Sequence, residues 1–296
     1  MLTSPPRGAD AHLDRLRDIL AEMGSVLVCF SGGVDSAFVL AVAHEVLGSR
    51  AVGMTAVSPS LAPEERALAV EVAAQIGARH ELVESHEIDD PAYLANNPDR
   101  CFHCKSELYR LSAVKQVEWG VRAVVNGTNL DDLGDYRPGL EAAKERGARS
   151  PLVEAGFHKT DVRRAASLLG LSVWDKPAAA CLSSRLPYGT RVTRSRLAQI
   201  ATLEEGLHRL GLRQVRVRWH GLGDENGEAR EPSSSDKAMA RIEVGAPELT
   251  RAFELRDTIV TLGKQAGYAY VTLDLQGYRI GSHNEVLRGK SLRLLG

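Results

Sequence analysis

Ser31-Gly32-Gly33-Val34-Asp35-Ser36 brings two glycines, two hydroxyls and a carboxylate together in six positions, a set suited to phosphate chemistry. The apolar run Val26-Leu27-Val28-Cys29-Phe30 before it reads as a buried strand, and Ala37 to Ala43 after it reads as the first turns of a helix. A glycine turn in that position aims backbone N–H groups and the positive helix end at one spot, which binds a phosphate or pyrophosphate. Gly32 and Gly33 let the main chain approach the anion, and Ser31 and Ser36 add hydroxyl donors. A Walker A loop would place lysine where Asp35 stands. A carboxylate beside phosphates requires an intervening cation, so Asp35 predicts Mg2+. An ordinary strand–turn–helix with two turn glycines is the plainer alternative, but it leaves the two hydroxyls and the carboxylate at this turn unexplained.

Sulfur is the second source of chemistry. The chain has four cysteines. Cys29 lies inside the apolar first strand and reads as a small buried hydrophobe. Cys101-Phe102-His103-Cys104 forms a CxxC, and Cys181 stands alone in Ala180-Cys181-Leu182-Ser183-Ser184-Arg185. A CxxC serves a redox dithiol, half a zinc site or part of an iron–sulfur site. Zinc would need two further ligands and there is no second CxxC; a dithiol leaves Cys181 unused. Three thiolates can hold a four-iron cluster with one iron open to an outside ligand.

Strands and helices alternate through the region carrying these residues. Val52–Val57, His80–Glu84 and Ala123–Val125 read as further strands, and Pro63-Glu64-Glu65-Arg66 opens a helix with proline and acids in its first turn. This pattern predicts an α/β fold with a doubly wound parallel sheet that binds ligands beyond its carboxyl strand ends. Ser31–Ser36, Thr55–Ser58 and Asn126–Asn129 should meet there. Leu186-Pro187-Tyr188-Gly189 is turn-rich and marks a boundary, giving domains 1–188 and 189–296. The second domain reads as α+β: helix Arg194–Leu210, strands Val215–Trp219 and Ala240–Val244, helix Pro247–Ala266, strand Tyr268–Leu275. Gly221 to Asp236 reads as a mobile surface loop, and Trp174 as core packing.

The loop resembles the SGGxDS motif of the ATP pyrophosphatases, which cut ATP between its α and β phosphates. Asp135-Tyr136-Arg137-Pro138-Gly139, Lys159-Thr160-Asp161-Val162-Arg163, Ser183-Ser184-Arg185 with Pro187-Tyr188-Gly189, Val215-Arg216-Val217-Arg218 and Val271-Thr272-Leu273-Asp274-Leu275 resemble the LarE family over nearly the whole chain. That resemblance implies an ATP-dependent sulfurtransferase acting on pyridinium-3,5-biscarboxylic acid mononucleotide, in the making of the nickel-pincer cofactor of lactate racemase. In one branch a single cysteine, aligned here with Ala180, gives up its own sulfur; this chain is more similar to the three-cysteine branch. The resemblance to that branch implies a [4Fe-4S] cluster on Cys101, Cys104 and Cys181, with sacrifice of Cys181 as the fallback.

The same resemblance assigns ATP and Mg2+ to Ser31, Gly32, Gly33, Asp35, Ser36, Thr55 and Gly127, pyrophosphate to Lys159, substrate phosphate to Ser184 and Arg216, and a catalytic place to Glu204 beside Cys181 and Asp35. Arg216 and Arg218 share strand parity; a solvated face is the plainer reading for Arg218, and an exposed helix position that for Glu204. The resemblance also implies a homohexamer. A net charge of −1 gives no overall case for nucleic acid, no apolar run is long enough to span a bilayer, and the N-terminus lacks the apolar stretch of a signal peptide, so a cytoplasmic enzyme is expected. A tRNA thiolase and a non-catalytic ATP-binding or iron–sulfur scaffold are the rival readings.

Overall fold

The chain, seen in a computed structural model, is described over residues 10–134, 138–177, 179–222 and 237–279. Its central strand, β1 (Val26–Cys29), shows why the first part is layered. Val26 and Val28, with Phe30 just beyond, enter one core, while Leu27 enters another on the opposite face with Cys29 packed against it. Apolar residues on both faces of a strand require cover on both sides.

The elements follow in the order α1 (Ala11–Met23), β1, α2 (Val34–Leu47), β2 (Ala51–Val57), α3 (Pro63–Ile76), β3 (Arg79–Glu84), α4 (Pro91–Leu94), α5 (Arg100–Glu118), β4 (Ala123–Val125), α6 (Pro138–Glu145), α7 (Pro151–Ala155) and α8 (Lys159–Leu168). The four strands are parallel in the order β3-β2-β1-β4, the sheet that the alternation predicts. Helix α2 is buried from Ser36 through Ala43, because a helix that is apolar all round must be enclosed. Its core contains α1, whose Leu13, Leu16 and Leu20 point inward, and part of α8; Tyr109 and Leu111 of α5 cover the other face. Asp10 caps α1 by accepting from the N–H groups of His12 and Leu13.

The chain divides into two units, Met1–Tyr93 with Pro98–Ala179, and Leu94–Asn97 with Ala180–Gly296. Leu94–Asn97 goes with the second because its backbone pairs there: Gly189 N–H donates to Asn96 O (3.1 Å) and Val192 N–H to Leu94 O (2.9 Å). Asn96, fully buried with φ 55°, also donates its side-chain amide to Pro187 O at 2.8 Å.

The second unit contains α9 (Arg194–Arg209), β5 (Val215–Gly221), β6 (Ala238–Val244), α10 (Leu249–Glu254), α11 (Arg256–Gln265) and β7 (Tyr270–Leu273). β5 and β6 pair antiparallel, and β7 adds parallel to β6. Val215, Val217 and Trp219 are buried beneath α9, whose Leu197, Ile200, Leu203 and Leu207 form the matching stripe.

Four expectations need correction. The helix foreseen over Pro247–Ala266 is two, because the backbone leaves the helical region at Leu255 (φ −86°, ψ 8°). The last strand starts later, since Tyr268 N–H closes the end of α11 on Gly263 O. Trp174 is 45 % exposed and so is not core. Glu204 and Arg218 are buried, not solvated. Residues 223–236 of the expected surface loop, and Asp135 to Arg137, lie outside the described residues. Among the described residues no helix is long and apolar enough to cross a membrane.

Candidate functional site

In the first unit the carboxyl ends of β1, β2 and β4 bring the foreseen phosphate residues to one edge. Gly33 is the N-cap of α2 and no side chain caps that helix, so its first-turn N–H groups remain available to an anion. The loop hydroxyls satisfy one another: Ser36 donates to Gly33 O (3.1 Å) and so accepts from Ser31 Oγ (3.2 Å). Gly32 has φ +71°, and a Cβ there would come within 2.9 Å of the Ala69 backbone in α3. Gly127 is required by a close approach: its Cβ would lie 2.8 Å from Ser36 N and 3.0 Å from Asp35 C.

Asp35 is held from two sides. Lys159 Nζ donates to its Oδ2, and Asn129 Nδ2 to its Oδ1 at 3.3 Å. A lysine therefore stands against the carboxylate where the sequence predicts a metal cation. Lys159 is itself fixed at the start of α8, where its N–H donates to Asp131 Oδ2 (2.7 Å). Asp131 Oδ1 accepts from His158 Nδ1 at 2.8 Å. That hydrogen bond holds the exposed His158 above the usual imidazole range and the exposed Asp131 below the usual carboxylate range. Thr55 is buried with its hydroxyl already engaged, donating to Phe30 O (2.7 Å) and accepting from His80 Nε2 (2.8 Å). It secures the strand end from which the loop leaves.

Cys101 is exposed and Cys104 partly exposed, one turn apart at the start of α5. Arg100 Nη2 lies 3.9 Å from Cys101 Sγ. Lys105 stands close enough to Cys104, Tyr109, Cys29 and Cys101 that their attraction outweighs the opposing effect of burial and raises its pKa. Cys29 differs. Ser112 Oγ gives its proton to Leu108 O (2.8 Å), so the Cys29 thiol donates to it at 3.4 Å, and burial pushes that thiol up. Brief iodoacetamide labelling of the native chain should therefore mark Cys101 and Cys181 and spare Cys29. Peptide mass spectrometry showing Cys29 labelled as fast as Cys181 would refute this.

In the second unit Cys181 is exposed at the head of a 3-10 turn, Leu182–Arg185, pinned by two arginines. Arg185 Nη1 donates to Ala180 O (2.6 Å), Cys181 O (3.0 Å) and Ser184 Oγ (3.0 Å). Its Nε and Nη2 engage Glu204 Oε1 and Oε2, each at 2.9 Å, in a buried bidentate pair. Glu204 Oε1 also accepts from Val217 N–H at 2.8 Å. Arg218 Nη1 donates to Ser184 O (2.9 Å), while its Nη2 meets the buried Glu243 Oε2 (2.9 Å). Arg216 lies on the same strand face, its guanidinium 5.2 Å from the Tyr278 ring centroid. Burial first, and then the neighbouring Arg185, depress its pKa. A guanidinium held in such a field gains from a bound anion.

The expected residues thus group by unit: Ser31, Gly32, Gly33, Asp35, Ser36, Gly127 and Lys159 in the first, Cys181, Ser184, Arg216 and Glu204 in the second. Among the described residues no group of three or more His, Cys, Asp or Glu side chains could hold a metal ion. Sequence reasoning missed Asp131 and Glu243, and named Asn129 and Arg185 only within their segments, with no partner for either. Strand parity offered one signal, since Arg216 lies opposite Glu243 in the β5–β6 register.

Residues 15–113 match the asparagine synthase family. An uncharacterized protein of Synechocystis sp. is 45% identical over 282 residues, 94% of this chain and 98% of that protein. An uncharacterized protein of Methanocaldococcus jannaschii is 24% identical over 86% of this chain and 90% of its own length. Pyridinium-3,5-bisthiocarboxylic acid mononucleotide synthase of Lactiplantibacillus plantarum is 37% identical over 90% of this chain and 92% of its own. Identity at that level along almost the full length of both proteins shows that the chain belongs to the LarE family.

Proposed function

We propose that this chain is an ATP-dependent sulfurtransferase that activates the carboxylates of pyridinium-3,5-biscarboxylic acid mononucleotide and converts them to thiocarboxylates. The observation carrying this reading is the turn that presents Cys181: an accessible thiol whose own carbonyl accepts from Arg185 and from the Ser184 hydroxyl, in the same unit as Arg216, the residue that would bind the substrate phosphate with Ser184. The printed name of the Lactiplantibacillus plantarum relative supports the same product.

The uncapped end of α2, with Ser31 and Ser36, would receive the β and γ phosphates, and Lys159 would turn from Asp35 to the departing pyrophosphate. Asp35 is the carboxylate suited to hold Mg2+, which would neutralise phosphate charge. A substrate carboxylate oxygen attacks the α-phosphorus and pyrophosphate leaves with the electron pair of the broken bond. A sulfur nucleophile then attacks the acyl carbon and AMP departs. Both nucleophiles are anionic, so neither step needs a general base.

By donor chemistry the thiols Cys101, Cys104 and Cys181 are the residues that would hold a [4Fe-4S] cluster, although the described residues do not gather three such ligands at one point. Its open iron would supply a site for the sulfur to be transferred. Incubation of anaerobically purified protein with ATP, Mg2+ and the mononucleotide should give substrate-dependent pyrophosphate and a thiocarboxylate detectable by mass spectrometry. Pyrophosphate release indifferent to the mononucleotide, or abolished by ribonuclease, would overturn the reading. Iron analysis decides the sulfur route: about four irons per chain supports the cluster, whereas dehydroalanine at position 181 after turnover supports sacrifice of Cys181.

A further inference from the structure

At the carboxyl edge of β2 and β3 lies a buried cluster that the reaction above does not use. Glu87 is 4 % exposed, yet three hydroxyls converge on its carboxylate. Ser58 and Ser60 donate to Oε1 at 2.5 and 3.0 Å, and Ser85 donates to Oε2. Ser58 and Ser60 lie in the turn leaving β2, Ser85 directly follows β3, and Ser60 N–H also donates to Ser58 Oγ at 3.2 Å. One carboxylate thus ties together the exits of two neighbouring strands.

The turn from Ser58 leads directly into α3, which starts at Pro63. Along α3, Ala69 forms the floor beneath Gly32 of the phosphate loop, too close for any Cβ at that glycine. Pro63 starts α3 and no side chain caps it, so the backbone turn from Ser58, closed by Leu61 N–H on Ser58 O (3.1 Å), sets its entry. The carboxylate behind that turn can fix it.

We propose that Glu87 is a positioning residue for ATP: by fixing the Ser58–Ser60 turn it sets α3, and through Ala69 the height of Gly32 in the phosphate loop. The idea rests on the assignment of that loop to ATP. A charged acceptor taking several hydrogen bonds inside the protein is rigid, and its loss leaves buried hydroxyls to reorganise. Displacement of a phosphate loop by a fraction of an ångström weakens every N–H contact it makes.

The test measures ATP affinity by calorimetry on the full-length protein, with thermal melting alongside. Glu87→Ala should weaken ATP binding about tenfold and raise KM for ATP in step, leaving KM for the mononucleotide unchanged. Glu87→Gln keeps an acceptor for Ser58 and Ser60 and should recover most of the affinity. A merely structural role would lower the melting temperature of Glu87→Ala while the folded protein bound ATP like wild type, and that result overturns the proposal. Should Glu87→Ala fail to fold, Ser60→Ala decides instead: about threefold weaker ATP binding is expected, and wild-type affinity refutes the idea. Failure of the wild-type chain itself to bind ATP would be a failure of the ATP assignment, distinguishable from failure at Glu87 alone.

Discussion

Cys181→Ala is expected to abolish thiocarboxylate formation while the first round of pyrophosphate release persists. In the proposed reaction the two half-reactions draw on different residues. Activation would use the uncapped end of α2, Asp35 and Lys159, all in the first unit. Sulfur delivery needs a thiol, and Cys181 is the exposed cysteine of the second unit, beside Ser184 and on the turn held by Arg185 and Arg218. Alanine removes the sulfur and little else, because the hydrogen bonds at this turn are made by the Cys181 carbonyl and not by its side chain. A stoichiometric burst of pyrophosphate, with substrate retained as an acyl adenylate, is the expected signature. Continued thiocarboxylate formation by Cys181→Ala would remove Cys181 from the chemistry.

Glu204→Ala is expected to cause the largest loss of stability. It leaves the Arg185 guanidinium buried without its carboxylate and deprives Val217 N–H of its acceptor. Breaking one side of a buried pair costs about 3–5 kcal/mol, a fall in melting temperature on the order of 10 °C for a domain of this size. Replacing both members with apolar residues should recover much of that cost. The double variant Arg185→Met/Glu204→Leu should therefore melt well above Glu204→Ala yet transfer sulfur poorly, since the Ala180 and Cys181 carbonyls then lose the guanidinium that ties them to α9. Calorimetric melting with a product assay on the same samples checks both halves. Wild-type activity in the double variant would show that the pair only stabilises the unit.

Glu204 also shows where sequence reading reaches its limit. In the sequence it is one glutamate of a helix in which Glu205 follows it, and only helical phase separates a buried position from an exposed one. Structure places it on the inner stripe with Ile200, Leu203 and Leu207, facing β5. Arg218 is similar: parity put it on the face of Arg216, but its burial depends on Glu243, which arrives from the neighbouring strand. Asn96 had no signal at all, because its role is to join residues some ninety positions away. Trp174 was misplaced for the opposite reason, since an aromatic after an apolar run is usually buried.

Local structure was legible without coordinates. The six residues Ser31 to Ser36, the apolar strand before them and the apolar helix after them determine a strand–turn–helix whose turn leaves its first N–H groups uncapped. They do so because backbone N–H groups, positive φ at glycine and helix polarity are properties of neighbours in the chain. Partners distant in sequence were decided by tertiary structure alone. Lys159 against Asp35, Glu87 under three serines and Arg185 between Glu204 and the Cys181 carbonyl are each set by which strand ends and helices come together. A side chain's charge is written in the sequence; what neutralises it depends on the packing that brings another residue within a few ångströms.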